Sequence, residues 1–317
     1  MIEVVVSQRH NEAEGICSFE LTAVDGSPLP QHEPGAHIDV HLPNGLIRQY
    51  SLCPGSANER RYLIGVLLEP DSRGGSVAVH ALRVGDRLLI SEPRNHFPLE
   101  AGAQRSILLA GGIGITPLLS MAEQLAARNQ DFTLHYGARS ASRLAFLDRL
   151  DHKTLAGRVC LHLDDGPDEQ KLMLNQALGP VNQGTHIYVC GPGGFMDWVL
   201  GEARLAGWSE EQLHREYFAA PVRAQDTQDE AFEIQIGDGG VIYKVPAGST
   251  VIDVLNEHGI EVPVSCEQGV CGTCLTRVIQ GQPDHRDSFL TDQERAANDC
   301  FTPCCSRSRS PLLVLDL

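Results

Sequence analysis

The 317-residue chain predicts a multidomain protein in three parts. These are an antiparallel β-barrel over residues 1–102, an open Rossmann-like α/β domain over 103–220 and a β-grasp domain over 231–317, with a linker at 221–230 before the last. Three observations predict this. The first part holds short runs of apolar alternation punctuated by Pro and Gly. The middle part repeats a strand, glycine turn, helix layout. The last part carries a C-x4-C-x2-C loop answered by a cysteine pair near the C-terminus.

The bulk properties narrow the function classes. Hydrophobic residues make up 42% of the chain, an ordinary globular share, and 317 residues suit two or three domains. The net charge of −16 argues against nucleic acid or an anionic membrane as partner, and suits a partner with a basic patch. No segment reaches the roughly eighteen apolar residues of a membrane span. The start, Met1-Ile2-Glu3-Val4-Val5-Val6, lacks the basic region of a secretory signal. Cys17, Cys53, Cys160 and Cys190 are scattered and the other six of the ten cysteines crowd the last part. That distribution predicts a reducing cytoplasm and a cofactor site, not a disulfide framework.

In the first part, residues 2–6, 16–22, 37–42, 48–52, 61–68 and 86–90 alternate as strands do. Pro34-Gly35 and Asn44-Gly45 mark turns between them, and many short strands with regular turns predict an antiparallel barrel. Arg48-Gln49-Tyr50-Ser51 ends one strand, with Arg48 and Tyr50 on one face and Gln49 and Ser51 on the other. An Arg can fork onto a phosphate, and a Tyr can lie on a flat ring. Arg73-Gly74-Gly75-Ser76 precedes a helix expected at 77–82, where free N–H groups suit an anion. Taken singly, R-x-Y-S reads as a surface strand and G-G-S as a plain loop.

The middle part opens with Ser106-Ile107-Leu108-Leu109-Ala110, a continuous apolar run expected of a buried parallel strand. It leads into Gly111-Gly112-Ile113-Gly114-Ile115-Thr116-Pro117 and a helix over 118–127. This is not G-x-G-x-x-G, yet its glycines suit a pyrophosphate at a helix start, and Pro117 fits a first turn. Further strands are expected at 132–136, 159–163 and 185–190, with helical stretches at 146–150 and 195–206. The strand at 132–136 ends at Gly137-Ala138-Arg139-Ser140, and that at 185–190 ends in Cys190-Gly191-Pro192-Gly193-Gly194-Phe195-Met196. In an open α/β sheet a ligand lies at the carboxyl ends of the strands, where each of these turns falls. Without the turn that follows it, Cys190 reads as a buried strand-end thiol. His214-Arg215-Glu216-Tyr217-Phe218 closes this part, on residues alone an edge strand with a packed aromatic.

In the last part, strands at 232–237 and 241–245 flank Asp238-Gly239-Gly240 as a hairpin. Thr250 suits an N-cap and Gly259 a C′ residue for a helix at 251–258, and strands follow at 275–279 and 312–317. The loop Cys266-Glu267-Gln268-Gly269-Val270-Cys271-Gly272-Thr273-Cys274 has the plant-type spacing for a [2Fe–2S] cluster. Gly269 and Gly272 suit a backbone that bends around an inorganic core. Zinc loops pair one C-x2-C with another, and there is no second pair here. Roughly thirty residues on, Cys304-Cys305 offers two candidates for the fourth ligand.

R-x-Y-S, G-G-S and Arg94-Asn95-His96-Phe97-Pro98-Leu99 together resemble the flavin barrel of the ferredoxin–NADP reductase superfamily, in its phthalate dioxygenase reductase branch. G-G-I-G-I-T-P followed by C-G-P-G-G-F-M resembles the pyridine-nucleotide domain of the same superfamily, and the order barrel, nucleotide domain, ferredoxin covers nearly the whole chain. The resemblance implies FMN, since there is no inserted adenine-binding flap, and NADH by its branch, although Arg139 suits a 2′-phosphate too. It implies that Arg48, Tyr50, Ser51, Gly74, Gly75 and Ser76 hold the flavin and that Glu216 and Phe218 face it. It puts the pyrophosphate on Gly111, Gly112 and Gly114, and the adenosine ribose at Arg139 and Ser140. Cys190, Gly191, Pro192 and Thr116 would seat the nicotinamide, with Cys190, Thr116 and Glu216 as the catalytic set. Leu67 stands where some relatives carry a basic residue and takes no side-chain role. The metal ligands become Cys266, Cys271, Cys274 and, by alignment of the tail, Cys304. His285 and Arg286 are read as structural.

The function so implied is a reductase passing electrons from NADH through FMN and the [2Fe–2S] cluster to a Rieske-type terminal oxygenase acting on a small aromatic acid. It would work as a monomer. A reductase for a phthalate- or phenoxybenzoate-type dioxygenase or for a di-iron monooxygenase stays open, as does a ferredoxin-like redox sensor.

Overall fold

Alternating apolar residues drive the first sheet to close on itself. The computed structural model describes residues 1–53, 61–70, 72–218 and 229–317. Of the linker expected at 221–230, only Asp229 and Glu230 fall within the described residues. The chain divides into two units, Met1–Glu216 and Tyr217–Leu317.

The first unit begins with β1 (Ile2–Ala13), β2 (Ile16–Ala23), β3 (Ala36–His41), β4 (Ile47–Cys53), β5 (Arg61–Leu67), α1 (Gly75–His80), β6 (Arg87–Ile90) and β7 (Arg94–Asn95). The strand order is β4-β5-β2-β1-β6-β3-β7, all antiparallel, and β3 also pairs with β4, which closes the barrel. Val4, Val6, Phe19, Leu21, Ile38, Val40, Leu52, Ile64 and Val66 fill it. β1 runs on past the expected end at Val6 as a ladder with β2, shifting register between Val6 and Gln8. Its outer half is polar, so backbone hydrogen bonds hold it and apolar alternation does not announce it.

The same unit continues with β8 (Arg105–Gly111), α2 (Ile115–Ala127), β9 (Asp131–Ala138), α3 (Leu147–Leu150), β10 (Val159–Leu163), α4 (Leu174–Leu178), β11 (Thr185–Cys190), α5 (Gly193–Leu205) and β12 (Leu213–Glu216). The sheet is parallel throughout, in the order β10-β9-β8-β11-β12. Helix α2 buries Ile115, Leu118, Leu119, Met121 and Ala122 completely. One core joins these to Leu108 and Tyr136 of the sheet and to Cys53 and Leu63 of the barrel. Burying a large apolar side chain is worth about 1.5–3 kcal/mol, so this shared core binds the two layers together.

The second unit holds β13 (Phe232–Ile236), β14 (Ile242–Val245), α6 (Val251–Glu257), β15 (Thr276–Gln280), β16 (Pro283–Asp284), α7 (Asp292–Ala297), β17 (Cys300–Phe301), β18 (Arg307–Ser308) and β19 (Leu312–Leu315). The main sheet runs β14-β13-β19-β15-β17, with β13 and β19 parallel, as a β-grasp fold requires. Thr250 caps α6 as its sequence predicts, its hydroxyl accepting from Asp253 N at 3.1 Å. Helix α7 was outside the periodic signal. The Thr291–Glu294 capping box starts it. The buried Arg307 donates to the carbonyls of Glu230 and Pro246 at 3.0 and 3.1 Å, tying the tail to the start of the unit. Among the described residues, no helix is long and apolar enough to cross a membrane.

Two cross-strand imidazole pairs mark the parallel sheet, His135–His162 at 3.0 Å and His186–His214 at 2.9 Å. Burial first, then the neighbouring imidazole, pushes His135 and His214 down to about 4 from 6.5. The unfolded chain therefore binds protons that the folded chain refuses, and the stability present above pH 6.5 is lost as pH falls toward 4. Denaturant titrations should show a loss on the order of 1–2 kcal/mol per histidine, allowing for their partial exposure. The double substitution His135→Gln, His214→Gln should flatten that decline, and a decline of unchanged steepness would assign it to other groups.

Candidate functional site

The parallel strand order creates a crevice. β8 leads through α2 to β9 on one side, while β11 lies on its other side, so the direction of winding reverses between β8 and β11. Ligands of open α/β sheets bind at such a point. The turns after β8 and β11 touch there. A side chain at Gly114 would collide with the carbonyl of Cys190, and one at Gly111 would come within 3.0 Å of Pro192 and closer to Phe195. Gly191 lies against Gly111, whereas the space beside Gly112 is open. Arg139 and Ser140 follow β9, the neighbouring strand. Arg139 is exposed, and the Ser140 hydroxyl meets that of Ser142 at 3.0 Å. Ser142 in turn donates to Glu14 of the barrel at 3.0 Å, which anchors this loop.

The barrel meets the sheet at the same end. Thr116 is buried, donates to Ile113 O at 3.0 Å, and puts its methyl where a side chain on Gly65 would stand. Ser51 on β4 is buried and donates to Glu216 Oε2 at 3.1 Å, linking barrel to sheet edge. Glu216 sits beside Cys190 across the β11–β12 ladder. Burial pushes its carboxyl up to about 8, against the opposing hydrogen bond from Ser51. Burial, then the nearby Glu216, raises the Cys190 thiol well above its ordinary value, so it stays protonated. His37 lies opposite Ser51 in the β3–β4 register, with Nδ1 4.0 Å from Glu216 Oε1.

On the other face of β4, Arg48 lies against Gly75, where a Cβ would come within 2.7 Å of its Nε. The structure thus brings together the guanidinium and the G-G-S turn. Ser76 spends its hydroxyl within that turn, accepting from Glu69 N at 3.1 Å and donating to Ser72 at 2.9 Å. Tyr50 packs half-buried on the barrel core, and burial raises its hydroxyl well above its usual range. Phe218 belongs to the second unit and is exposed.

In that second unit Cys266, Cys271, Cys274 and Cys304 are all buried. Glu267, Gly269 and Gly272 take left-handed φ of 53°, 70° and 68°, which bends the loop sharply between its cysteines. Side chains at Gly269 and Gly272 would collide with Cys305 and Phe289. Gln268 N donates to Cys266 Sγ at 3.3 Å and Thr273 N to Cys271 Sγ at 3.4 Å. Cys266 bonds to Cys271, and Cys304 bonds to Cys274 and to its neighbour Cys305. The bond from Cys266 lowers Cys271 to about 5, and the bond from Cys304 lowers Cys274. Four buried cysteines, three of them on a loop whose glycines have no room for a side chain, fit a two-iron group ligated by four cysteines. Cys305 bonds both to Cys304, which lowers its thiol to about 7, and to Thr302, its sulfur 3.3 Å from the Thr302 hydroxyl.

Comparisons with known proteins agree with this architecture. Residues 234–309 match the family described as a 2Fe-2S iron-sulfur cluster binding domain. Residues 89–213 match the N-terminal domain of dimethylamine monooxygenase subunit DmmA-like proteins. The chain is 58% identical to a vanillate O-demethylase oxidoreductase from a Pseudomonas species over 100% of both chains. It is 47% identical to the protein of that name from Acinetobacter baylyi, over 100% of this chain and 99% of that one. Phthalate dioxygenase reductase, described as a modular structure for electron transfer from pyridine nucleotides to [2Fe–2S], superimposes with a TM-score of 0.74 at 37% identity, covering 100% of this chain and 98% of that one. The chain belongs to the phthalate dioxygenase reductase family. A type IV self-sufficient cytochrome P450 monooxygenase contains a similar region, with a TM-score of 0.87 at 36% identity over 100% of this chain and 41% of that one.

This reductase is therefore an electron-transferring oxidoreductase with a C-terminal 2Fe-2S domain. Two side groups of its seam escaped the sequence reading. Gly65 stands alone inside the run Tyr62-Leu63-Ile64-Gly65-Val66-Leu67, a signal of close backbone approach. His37 gave only a weaker sign, as a polar residue alternating with apolar Ile38 and Val40.

Two outcomes follow from this geometry. Gly272→Ala should strip most of the iron and sulfide, read by metal analysis and visible absorption, because its left-handed φ and the Phe289 ring oppose any Cβ; full cluster content would contradict the loop assignment. Glu216 has its folded value raised from 4.5 to about 8, so the stability it contributes is whole below pH 4.5 and is lost as pH rises through 8. Glu216→Gln should thus unfold with a smaller alkaline loss than the parent, by about 1–3 kcal/mol near pH 9, in flavin-free protein.

Proposed function

We propose that this reductase takes hydride from NADH onto FMN and passes single electrons through its 2Fe–2S cluster to a Rieske-type terminal oxygenase of the vanillate O-demethylase type. The observation that carries this is the hydrogen bond from Ser51 to Glu216 beside Cys190. It joins the R-x-Y-S strand of the barrel to the switch point of the nucleotide sheet. Whole-length identity to vanillate O-demethylase oxidoreductases supports the choice of partner.

Arg48, with the G-G-S turn of Gly74, Gly75 and Ser76, would bind the flavin phosphate, and Tyr50 would pack on its ring. Bound there, FMN would convert the two electrons of a hydride into steps of one electron, which the cluster can accept. Gly111, Gly112 and Gly114 would admit the pyrophosphate of NADH, Arg139 and Ser140 its adenosine ribose, and Gly191 and Pro192 its nicotinamide. Cys190 and Thr116 fill the buried floor beneath the nicotinamide and exclude water. Glu216 holds a proton on its carboxyl near neutral pH, and Ser51 orients it. Cys266, Cys271, Cys274 and Cys304 would hold the cluster. The short connection from Leu67 to Gly75 supports FMN over FAD, as it leaves no adenine-binding flap. Working divisions near residues 102 and 220, a monomer and a cytoplasmic location complete the proposal.

Extraction and mass spectrometry of the flavin, followed by stopped-flow mixing with NADH, tests it. FMN should be reduced before the cluster, and Cys190→Ala should slow flavin reduction by roughly tenfold or more. Cys304→Ser should lose the cluster while Cys305→Ser keeps it. Electrons should then reach a vanillate-type oxygenase. FAD in place of FMN, hydride transfer at the parent rate in Cys190→Ala, or no oxygenase reduction would each remove the corresponding part.

A further inference from the structure

A buried carboxylate stands between the two stretches of chain that supply the cluster cysteines. Asp287 is wholly buried. Its neighbours in sequence bind one stretch each. Ser288 N donates to Gly269 O of the cysteine loop at 2.9 Å, and Arg286 N donates to Ser306 Oγ, two residues past Cys304, at 3.1 Å. Asp287 itself fills the space at Gly269, where a Cβ would come within 2.9 Å of its Cα and Cβ. Its Oδ2 accepts from Leu290 N at 2.7 Å, while Oδ1 accepts no hydrogen bond among the described residues. A buried carboxylate oxygen left in that state is costly and calls for a cause.

We propose that Asp287 and Arg295 form a charge pair that sets the reduction potential of the 2Fe–2S site, the carboxylate lowering it and the guanidinium raising it. The inference rests on reading Cys266, Cys271, Cys274 and Cys304 as the cluster ligands. Arg295, on α7, donates from one terminal nitrogen to Asp287 O at 2.7 Å, and the same nitrogen stands 3.8 Å from Asp287 Oδ2. His285 Nδ1 lies 3.8 Å from Oδ1 on the other side of the carboxylate. The Arg295 side chain is 26% exposed, so solvent screens its charge more than that of Asp287.

A site that takes up one electron and no proton becomes more negative by one unit. By Coulomb's law, a carboxylate held in the low-dielectric interior opposes that change, and a guanidinium favours it. Net charge near an iron–sulfur site is one of the levers on its potential. Asp287 therefore makes the site a stronger donor to a one-electron partner, and Arg295 limits how strong. Charge and packing can be separated at both positions. Asp287→Asn keeps an oxygen that can accept from Leu290 N but loses the charge. Arg295→Lys keeps the charge, and Arg295→Gln removes it.

A redox titration of the holoprotein with dithionite and mediators at one fixed pH, followed by the absorption and electron paramagnetic resonance of the cluster, tests this. Asp287→Asn should favour the reduced form by about tenfold, a rise of about 59 mV for one electron. Arg295→Gln should move the potential the opposite way, by roughly threefold in view of its exposure. Arg295→Lys should stay near the parent value. No shift in either charge-removing variant, or a shift of the wrong sign, overturns the pair. Should Asp287→Asn lose its cluster, Arg295→Gln and Arg295→Lys decide: a lowered potential in the first alone supports the pair, and equal potentials overturn it. Parent protein without iron and sulfide would overturn the ligand assignment and this inference together. An intact cluster whose potential ignores both charges overturns the inference alone.

Discussion

The first unit depends on the closure of a barrel against the edge of a parallel sheet. The hydrogen bond from Ser51 to Glu216 marks where they meet, but it does not hold them together. A hydrogen bond contributes about 1 kcal/mol net, while each large apolar side chain in the shared core contributes about 1.5–3 kcal/mol. The core that includes Leu63, Leu108, Leu119 and Tyr136 therefore supplies the adhesion. The polar bond supplies register. It places a carboxyl and a thiol at one spot, in surroundings where burial keeps both neutral.

Close approach is the second constraint, and glycine meets it. Gly114 lets the turn after β8 reach the turn after β11, Gly75 lets Arg48 lie over α1, and Gly65 makes room for Thr116. The iron–sulfur loop uses glycine differently. There left-handed φ values bend the chain sharply between its cysteines. The β-grasp sheet then brings Cys304 to Cys274 from the connection between β17 and β18.

Much of this was legible because it is local. Barrel strands show themselves by alternation, the parallel strands by apolar runs, and α6 by its cap. Where side chains carry no such pattern, the signal fails. The outer half of β1 is held by its ladder alone. Helix α7 has a capping box but no apolar face to announce it. Arg48 and the G-G-S turn were expected to act together, and they adjoin. Ser76 was expected to face a phosphate, yet its hydroxyl also closes its own turn.

By itself the sequence determined the order of the parts, the cysteine spacing and the turns where glycines cluster, because each is written in neighbouring residues. It also carried enough likeness to place the chain in its family. Tertiary structure decided which distant side chains meet. Ser51 and Glu216 stand 165 positions apart. His37 joins them only because β3 pairs with β4 in one register, and a shift by one residue would turn it to the opposite face. In the same way, adjacent Cys304 and Cys305 are equivalent as letters. The path of the backbone brings Cys304 to Cys274, while Cys305 lies against Cys304 and Thr302. Such choices depend on how whole layers pack, which no short stretch of residues can encode.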